Sequence, residues 1–168
     1  MHAVNETTPE MLEDAIALAV KSHRGQLDRA GKPYITHPLR MMARASSLDE
    51  AIVAVLHDVV EDTPVTFADL ARMGLPEHVT EAVEALTRRK ALLREKLGLP
   101  PGDDEPYDDF VERTAAVALA REVKLLDLRD NMDIMRLEII GIDDLERLNR
   151  YLRAWGRLNR GTHEHEDI

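Results

Sequence analysis

The sequence predicts an all-α, single-domain helical bundle over residues 1–161, followed by a polar tail at 162–168. Three observations carry that prediction. Helix-start residues repeatedly precede apolar residues spaced three and four apart. One segment, Ala51 to Leu56, is apolar nearly all round, which marks a central buried helix. Clusters of glycine and proline separate the periodic stretches. At 168 residues the chain is long enough for a core that needs no covalent staples.

Thr8-Pro9-Glu10 is a start signal, with an N-cap hydroxyl, proline at the first helical position and an early acid. Leu12, Ile16, Leu18 and Ala19 continue that helix to about Ser22. From His23 to Pro38 the glycines and prolines predict a loop, with extended backbone before Pro33 and Pro38. Ser47 and Glu50 form a capping-box pattern that opens the run LDEAIVAVLHDVVED, read as one continuous helix closed by Pro64. Thr66 caps a short helix through Arg72, with Gly74 as its stop. A helix from Pro76 to about Arg88 follows, then an exposed loop from Arg94 to Pro106. Helical stretches are expected over roughly Tyr107 to Ala118 and Leu119 to Met135. The last helix runs from about Asp143 to Asn159, with Leu145, Leu148, Leu152 and Trp155 on one stripe, and Gly161 ends it.

The composition excludes several classes of function. The chain has no cysteine, so it has no disulfide, thiolate metal site or cysteine nucleophile. A net charge of -10 makes a duplex nucleic acid a poor partner. A small phosphorylated ligand stays compatible, because a bound cation reverses the local field. No apolar run reaches the length of a membrane span, and the first residues carry no secretory pattern, so a soluble cytoplasmic protein is expected. His163 and His165 sit in the polar tail and are read as solvated.

The chemistry is concentrated in three segments. The central apolar helix ends His57-Asp58-Val59-Val60-Glu61-Asp62. Residues four apart share a helix face, so His57 is expected over Glu61 and Asp58 over Asp62. Unpaired carboxylates in a buried helix are costly, and a divalent cation offsets that cost directly. In Lys124-Leu125-Leu126-Asp127-Leu128-Arg129-Asp130-Asn131, spacings of three and four place Lys124, Asp127 and Asn131 on one face. In Pro33-Tyr34-Ile35-Thr36-His37-Pro38, two prolines stiffen the backbone around His37, which lowers the entropy lost when it binds. His23 is read either as a support tying the first helix to the site or as a helix-end residue bonded to backbone.

The ordered segments HRGQLDRAGKPYITHP, VAVLHDVVEDT and VKLLDLRDN resemble the HD-domain phosphohydrolases. Within that family they are most similar to the hydrolase domain of RelA/SpoT-type alarmone enzymes and to the small alarmone hydrolases. The resemblance spans roughly residues 10–155 and implies an HD-domain helical bundle around one metal ion, usually manganese. It implies His37, His57, Asp58 and Asp127 as metal ligands and Glu61 and Asp62 as the catalytic acids. It further implies Asn131 as a nucleotide contact. Beside the resemblance, Arg29 and Lys124 are candidates for contacting phosphate, and Tyr34 and Tyr107 are the aromatic residues to test near a ligand. The implied reaction is release of pyrophosphate from the 3′ position of a guanosine alarmone such as ppGpp. The chain departs from that branch at Asp28-Arg29-Ala30-Gly31, where Asp28 replaces the basic residue that packs on guanine. Two alternatives stay open at this stage: an HD phosphohydrolase acting on another nucleotide or phosphorylated metabolite, and a nucleotide-binding module without turnover.

Overall fold

The structure is a computed structural model, and it describes residues 6–160. The expected tail, with Gly161, His163 and His165, lies outside the described residues. The described chain is helical, with helices α1 (Pro9–Ser22), α2 (Thr36–Met42), α3 (Leu48–Leu56), α4 (Val59–Asp62), α5 (Phe67–Ala71), α6 (Glu77–Leu86), α7 (Tyr107–Ala115), α8 (Ala118–Asn131) and α9 (Ile142–Arg160). Among these residues the β-pairing is one isolated bridge, Leu27 to Pro33. No described helix is long and apolar enough to cross a membrane.

The capping chemistry sets the helix starts. Thr8 is extended and its hydroxyl accepts from the Met11 amide, with Pro9 behind it. Thr66 and Asp69 form a complete capping box before α5. At α3 only half of the expected box is present. Ser47 Oγ accepts from the Glu50 amide, but the Glu50 carboxylate turns to the amide and hydroxyl of Ser46.

Helices α3 and α8 form the axis of the bundle. α3 packs on α1, α2, α6 and α8, while α8 also touches α2, α7 and α9. Ile52, Val53, Ala54, Val55 and Leu56 are fully buried, as the apolar run predicted. Each large side chain there contributes about 1.5–3 kcal/mol by leaving water. A smaller core of Phe110, Val111, Leu128, Ala154 and Leu158 joins α7, α8 and α9.

The structure corrects the sequence reading in three places and adds detail in a fourth. The loop expected up to Pro38 ends earlier, because α2 begins at Thr36 and carries His37 and Pro38 in its first turn, where proline's missing N–H is tolerated. The central helix is broken into α3 and α4 at His57-Asp58. The segment from Arg94 to Pro106 is the largely exposed loop that was expected, and it is anchored. Glu105 accepts from Arg113 and from the Arg89 amide, and Lys96 donates to the carbonyls of Val60 and Thr63. On α9, Leu145 and Leu152 are exposed, and the inward positions are Arg147, Ala154 and Leu158.

Candidate metal centre

The break between α3 and α4 shapes the site. Neighbouring residues on a regular helix diverge by about 100° and cannot meet. At the turn, Asp58 adopts φ −106°, ψ −2°, and its Oδ2 comes 2.8 Å from His57 Nε2. His37 enters from α2, and ligand atoms of His37, His57 and Asp58 lie within 4.8 Å of one another. Asp127, on α8, completes the group. Its Oδ1 is 3.3 Å from His37 Nε2 and 4.0 Å from His57 Nε2. Three distant segments therefore converge on one point.

The state of each ring follows from its outer nitrogen. His57 Nδ1 donates to the Ala54 carbonyl at 2.8 Å, since a carbonyl only accepts. In a neutral ring, Nε2 is then a lone pair. It is buried, has no hydrogen-bond partner, and faces carboxylate oxygens. His37 Nδ1 lies 2.8 Å from Asp130 Oδ2, which likewise leaves Nε2 pointing at Asp127. Lone pairs and carboxylates that converge in this way need positive charge between them. The donors are of the kind a divalent cation takes, and His37, His57, Asp58 and Asp127 are the residues that could hold it.

The electrostatics of the protein atoms point the same way. Burial opposes charge on His37, yet its bonds to Asp127 and Asp130 push it up to about 9. His57 is also raised, because Asp58 and Asp127 outweigh its burial. Burial would raise Asp58 and Asp127. The His57 ring beside Asp58, and Lys124 with both rings beside Asp127, hold them well below the usual carboxylate range. Asp62 is pushed up to about 6 by burial and by the carboxylates of Asp58 and Glu61.

The other expected residues are all close by, with particular partners. Glu61 accepts from the Arg88 amide at 2.8 Å and from Lys90 Nζ at 2.5 Å. The Tyr34 hydroxyl donates to Asp58. Lys124 donates to Asp127 Oδ2 at 2.7 Å and Asn131 to Asp127 Oδ1 at 2.5 Å. Tyr34, Lys124 and Asn131, expected at the substrate, thus have their polar groups turned to the carboxylates, although all three still line the cleft. Arg29 is on the rim, 3.7 Å from Asp144. His23 bonds Gln26 through Nδ1 at 2.7 Å and packs on Tyr34, which supports the site from α1.

Sequence reasoning missed two residues. Asp130 is fully buried and holds His37 while accepting from Arg40 and Arg44. Its signal was its position one turn beyond Asp127. Arg147 is buried in the wall of the cleft, with Nη2 on Asp144 and no partner for Nε or Nη1. Its signal was a charge on the inward stripe of α9, in register with Ala154 and Leu158. The cleft holds about 490 Å³ and is also lined by Arg88, Lys90, Arg136, Arg150 and Tyr151. A chain of net negative charge therefore gathers basic side chains around this acidic centre.

The HD domain family model matches residues 15–137. This chain belongs to the HD domain family. The chain is 30% identical over 129 residues to the bifunctional (p)ppGpp synthase/hydrolase SpoT of Escherichia coli, covering 74% of this chain and 18% of that protein. It is 39% identical over 137 residues to the GTP pyrophosphokinase rsh of Brucella melitensis, covering 79% and 17%. With the GTP pyrophosphokinase of Streptomyces coelicolor the identity is 34% over 142 residues, covering 79% and 16%. The chain thus spans less than a fifth of the length of these curated relatives. A solved structure, described as a metazoan ortholog of SpoT that hydrolyses ppGpp, superposes with a TM-score of 0.69. The two share 21% identity, covering 95% of this chain and 91% of that one. That likeness establishes the helical fold. HD domains bind divalent metals, and here His37, His57 and Asp58 form a cluster that could hold one.

Proposed function

We propose that this HD domain is a cytoplasmic manganese-dependent hydrolase that releases pyrophosphate from the 3′ position of ppGpp. The observation that carries the reading is the buried, unpartnered His57 Nε2 facing Asp58 and Asp127, with Glu61 and Asp62 one turn away. The (p)ppGpp hydrolase activity of SpoT and of its metazoan ortholog supports the substrate class.

In this reading His37, His57, Asp58 and Asp127 hold the cation. When bound, the cation lowers the pKa of a water and neutralises charge on a phosphate oxygen. Glu61 is the base: it orients the attacking water and takes its proton. Arg88 N and Lys90 keep the Glu61 carboxylate aimed into the cleft. The water oxygen forms the new bond to phosphorus as the bond from phosphorus to the ribose 3′ oxygen breaks. Asp62, whose carboxyl holds a proton more readily than an ordinary aspartate, gives that proton to the departing oxygen. Arg29, Arg147 and Arg150 supply donors for phosphate oxygens. Asn131 and Tyr34 position the cation ligands and close the wall beside the nucleotide.

A second reading, hydrolysis of a different nucleotide, is raised by Asp28, which stands where a basic residue was expected, but the contacts of Asp28 weaken it. Asp28 does not present a free carboxylate to the cleft. Its Oδ1 accepts from the amides of Ala30 and Lys32, and its Oδ2 lies 3.3 Å from Arg136. The residue organises its loop and draws Arg136 into the corner where a basic residue was expected. The test is a product assay with manganese against ppGpp, pppGpp, NADPH and common nucleotides. Release of pyrophosphate from ppGpp at the highest kcat/KM supports the alarmone reading. A larger kcat/KM for another substrate replaces it. Tight binding with no product under any divalent metal makes the domain a sensor.

A further inference from the structure

Helix α9 has two ordered faces, and among the described residues only one of them is packed. The inner face packs Ala154 and Leu158 into the smaller core. The outer face carries Ile142, Leu145, Asn149, Leu152 and Gly156, spaced three, four, three and four. Ile142 is 77% exposed, Leu145 52% and Leu152 58%. Single exposed apolar residues are ordinary, but a row with this period is the seam of a two-helix contact. A Cβ at Gly156 would meet nothing within 4 Å, so another helix can approach closely there.

The charges beside the seam identify the partner. The first turns of α9 are acidic, with Asp143 and Glu146, and the later turns are basic, with Arg150, Arg153 and Arg157. Arg150 is stacked over Tyr107 and Tyr151, and Arg157 pairs with Asp108. Glu146 and Arg153 line one shallow groove beside Asn149, and neither makes an ion pair among the described residues.

We propose that α9 is the contact surface of a two-fold homodimer, with the two copies antiparallel and the axis at Asn149. This arrangement sets Leu145 against Leu152 of the other copy and Ile142 against its Gly156. Asn149 meets itself, and one buried asparagine in such a seam specifies register. Glu146 of each copy faces Arg153 of the other, so the surface is complementary to itself, as an isologous contact requires. A parallel pair would place Glu146 on Glu146 and Arg153 on Arg153 and is disfavoured by like charge.

Sedimentation equilibrium of the full chain at about 100 µM tests this, since a specific small interface is expected in the micromolar range or tighter. The wild type sediments at twice the chain mass. Glu146→Arg and Arg153→Glu each raise the dissociation constant by at least about tenfold through two like-charge contacts. An equal mixture of these two variants restores a dimer containing one of each, because both cross-contacts then pair opposite charges. The double variant, with both substitutions in one chain, also restores it. Leu145→Glu with Leu152→Glu gives a monomer, and unchanged far-UV circular dichroism shows that it is folded. A monomeric wild type overturns the proposal and assigns the face to another partner. Dimerisation of both single variants, or a mixture that stays monomeric, overturns it as well.

Discussion

The Asp130 carboxylate has no exposed surface, and His37, Arg40, Arg44 and Arg136 all point at it. One acid thus fixes the orientation of a proposed metal ligand and balances guanidinium groups from two helices and a turn. A histidine held this way keeps its tautomer and presents Nε2 to the centre. Asp130→Ala leaves those cations facing one another. It should cost about 3–5 kcal/mol in urea unfolding, and metal titration should show about 10–100-fold weaker affinity. Asp127→Ala removes a proposed ligand outright, and elemental analysis should then find no bound metal. Glu61→Gln separates chemistry from binding: the metal stays, while the rate falls by roughly 10²–10⁴-fold, the usual value of a general base. Full activity in that variant would remove Glu61 from the mechanism.

At the scale of elements, the break between α3 and α4 and the strap from Arg88 to Tyr107 decide how the site is built. The periodicity of VAVLHDVVED is helical throughout, so it does not reveal that the helix yields at His57-Asp58. The strap has the composition of a loop, and its glycines and prolines supported that reading. Its anchor, Glu105, lies 49 residues beyond Leu56, and no local pattern marks it. The pairing has a pH dependence. Burial would raise the Glu105 carboxyl, but its bonds to Arg113 and to the Arg89 amide hold it below its ordinary value. A carboxylate lowered in the folded state contributes stability above its unfolded pKa of about 4.3. That contribution is lost as pH falls through the folded value. The protection of residues 90–104 against hydrogen exchange, corrected for the intrinsic pH dependence, should therefore be high at neutral pH in the wild type and fall in acid. Glu105→Gln should show low protection at both. High protection in the variant at neutral pH would mean that Glu105 is not the anchor.

For the whole molecule, the central prediction is linkage between metal and fold. The proposed ligands come from α2, the α3–α4 turn and α8, so the unfolded chain cannot assemble them. Manganese at 100 times its dissociation constant should add about 2.7 kcal/mol and raise the Tm, and a chelator should reverse this. Asp127→Ala should show neither effect. In the core, Leu56→Ala should cost about 2–5 kcal/mol, whereas Leu92→Ala, at a 96% exposed position, should change stability by less than about 0.5 kcal/mol. The sequence by itself determined the helical class, the buried run Ile52 to Leu56, the caps at Thr8 and Thr66, and the acids and histidines that chemistry requires. These depend on spacing and local hydrogen bonding, which adjacent residues encode. Only the tertiary structure decided that His57 and Asp58 meet across a broken helix, that Asp130 braces His37, and that Arg147 turns inward while Leu145 and Leu152 turn out. Each of these depends on which elements pack together, and that follows from the burial of the whole chain rather than from any window of it.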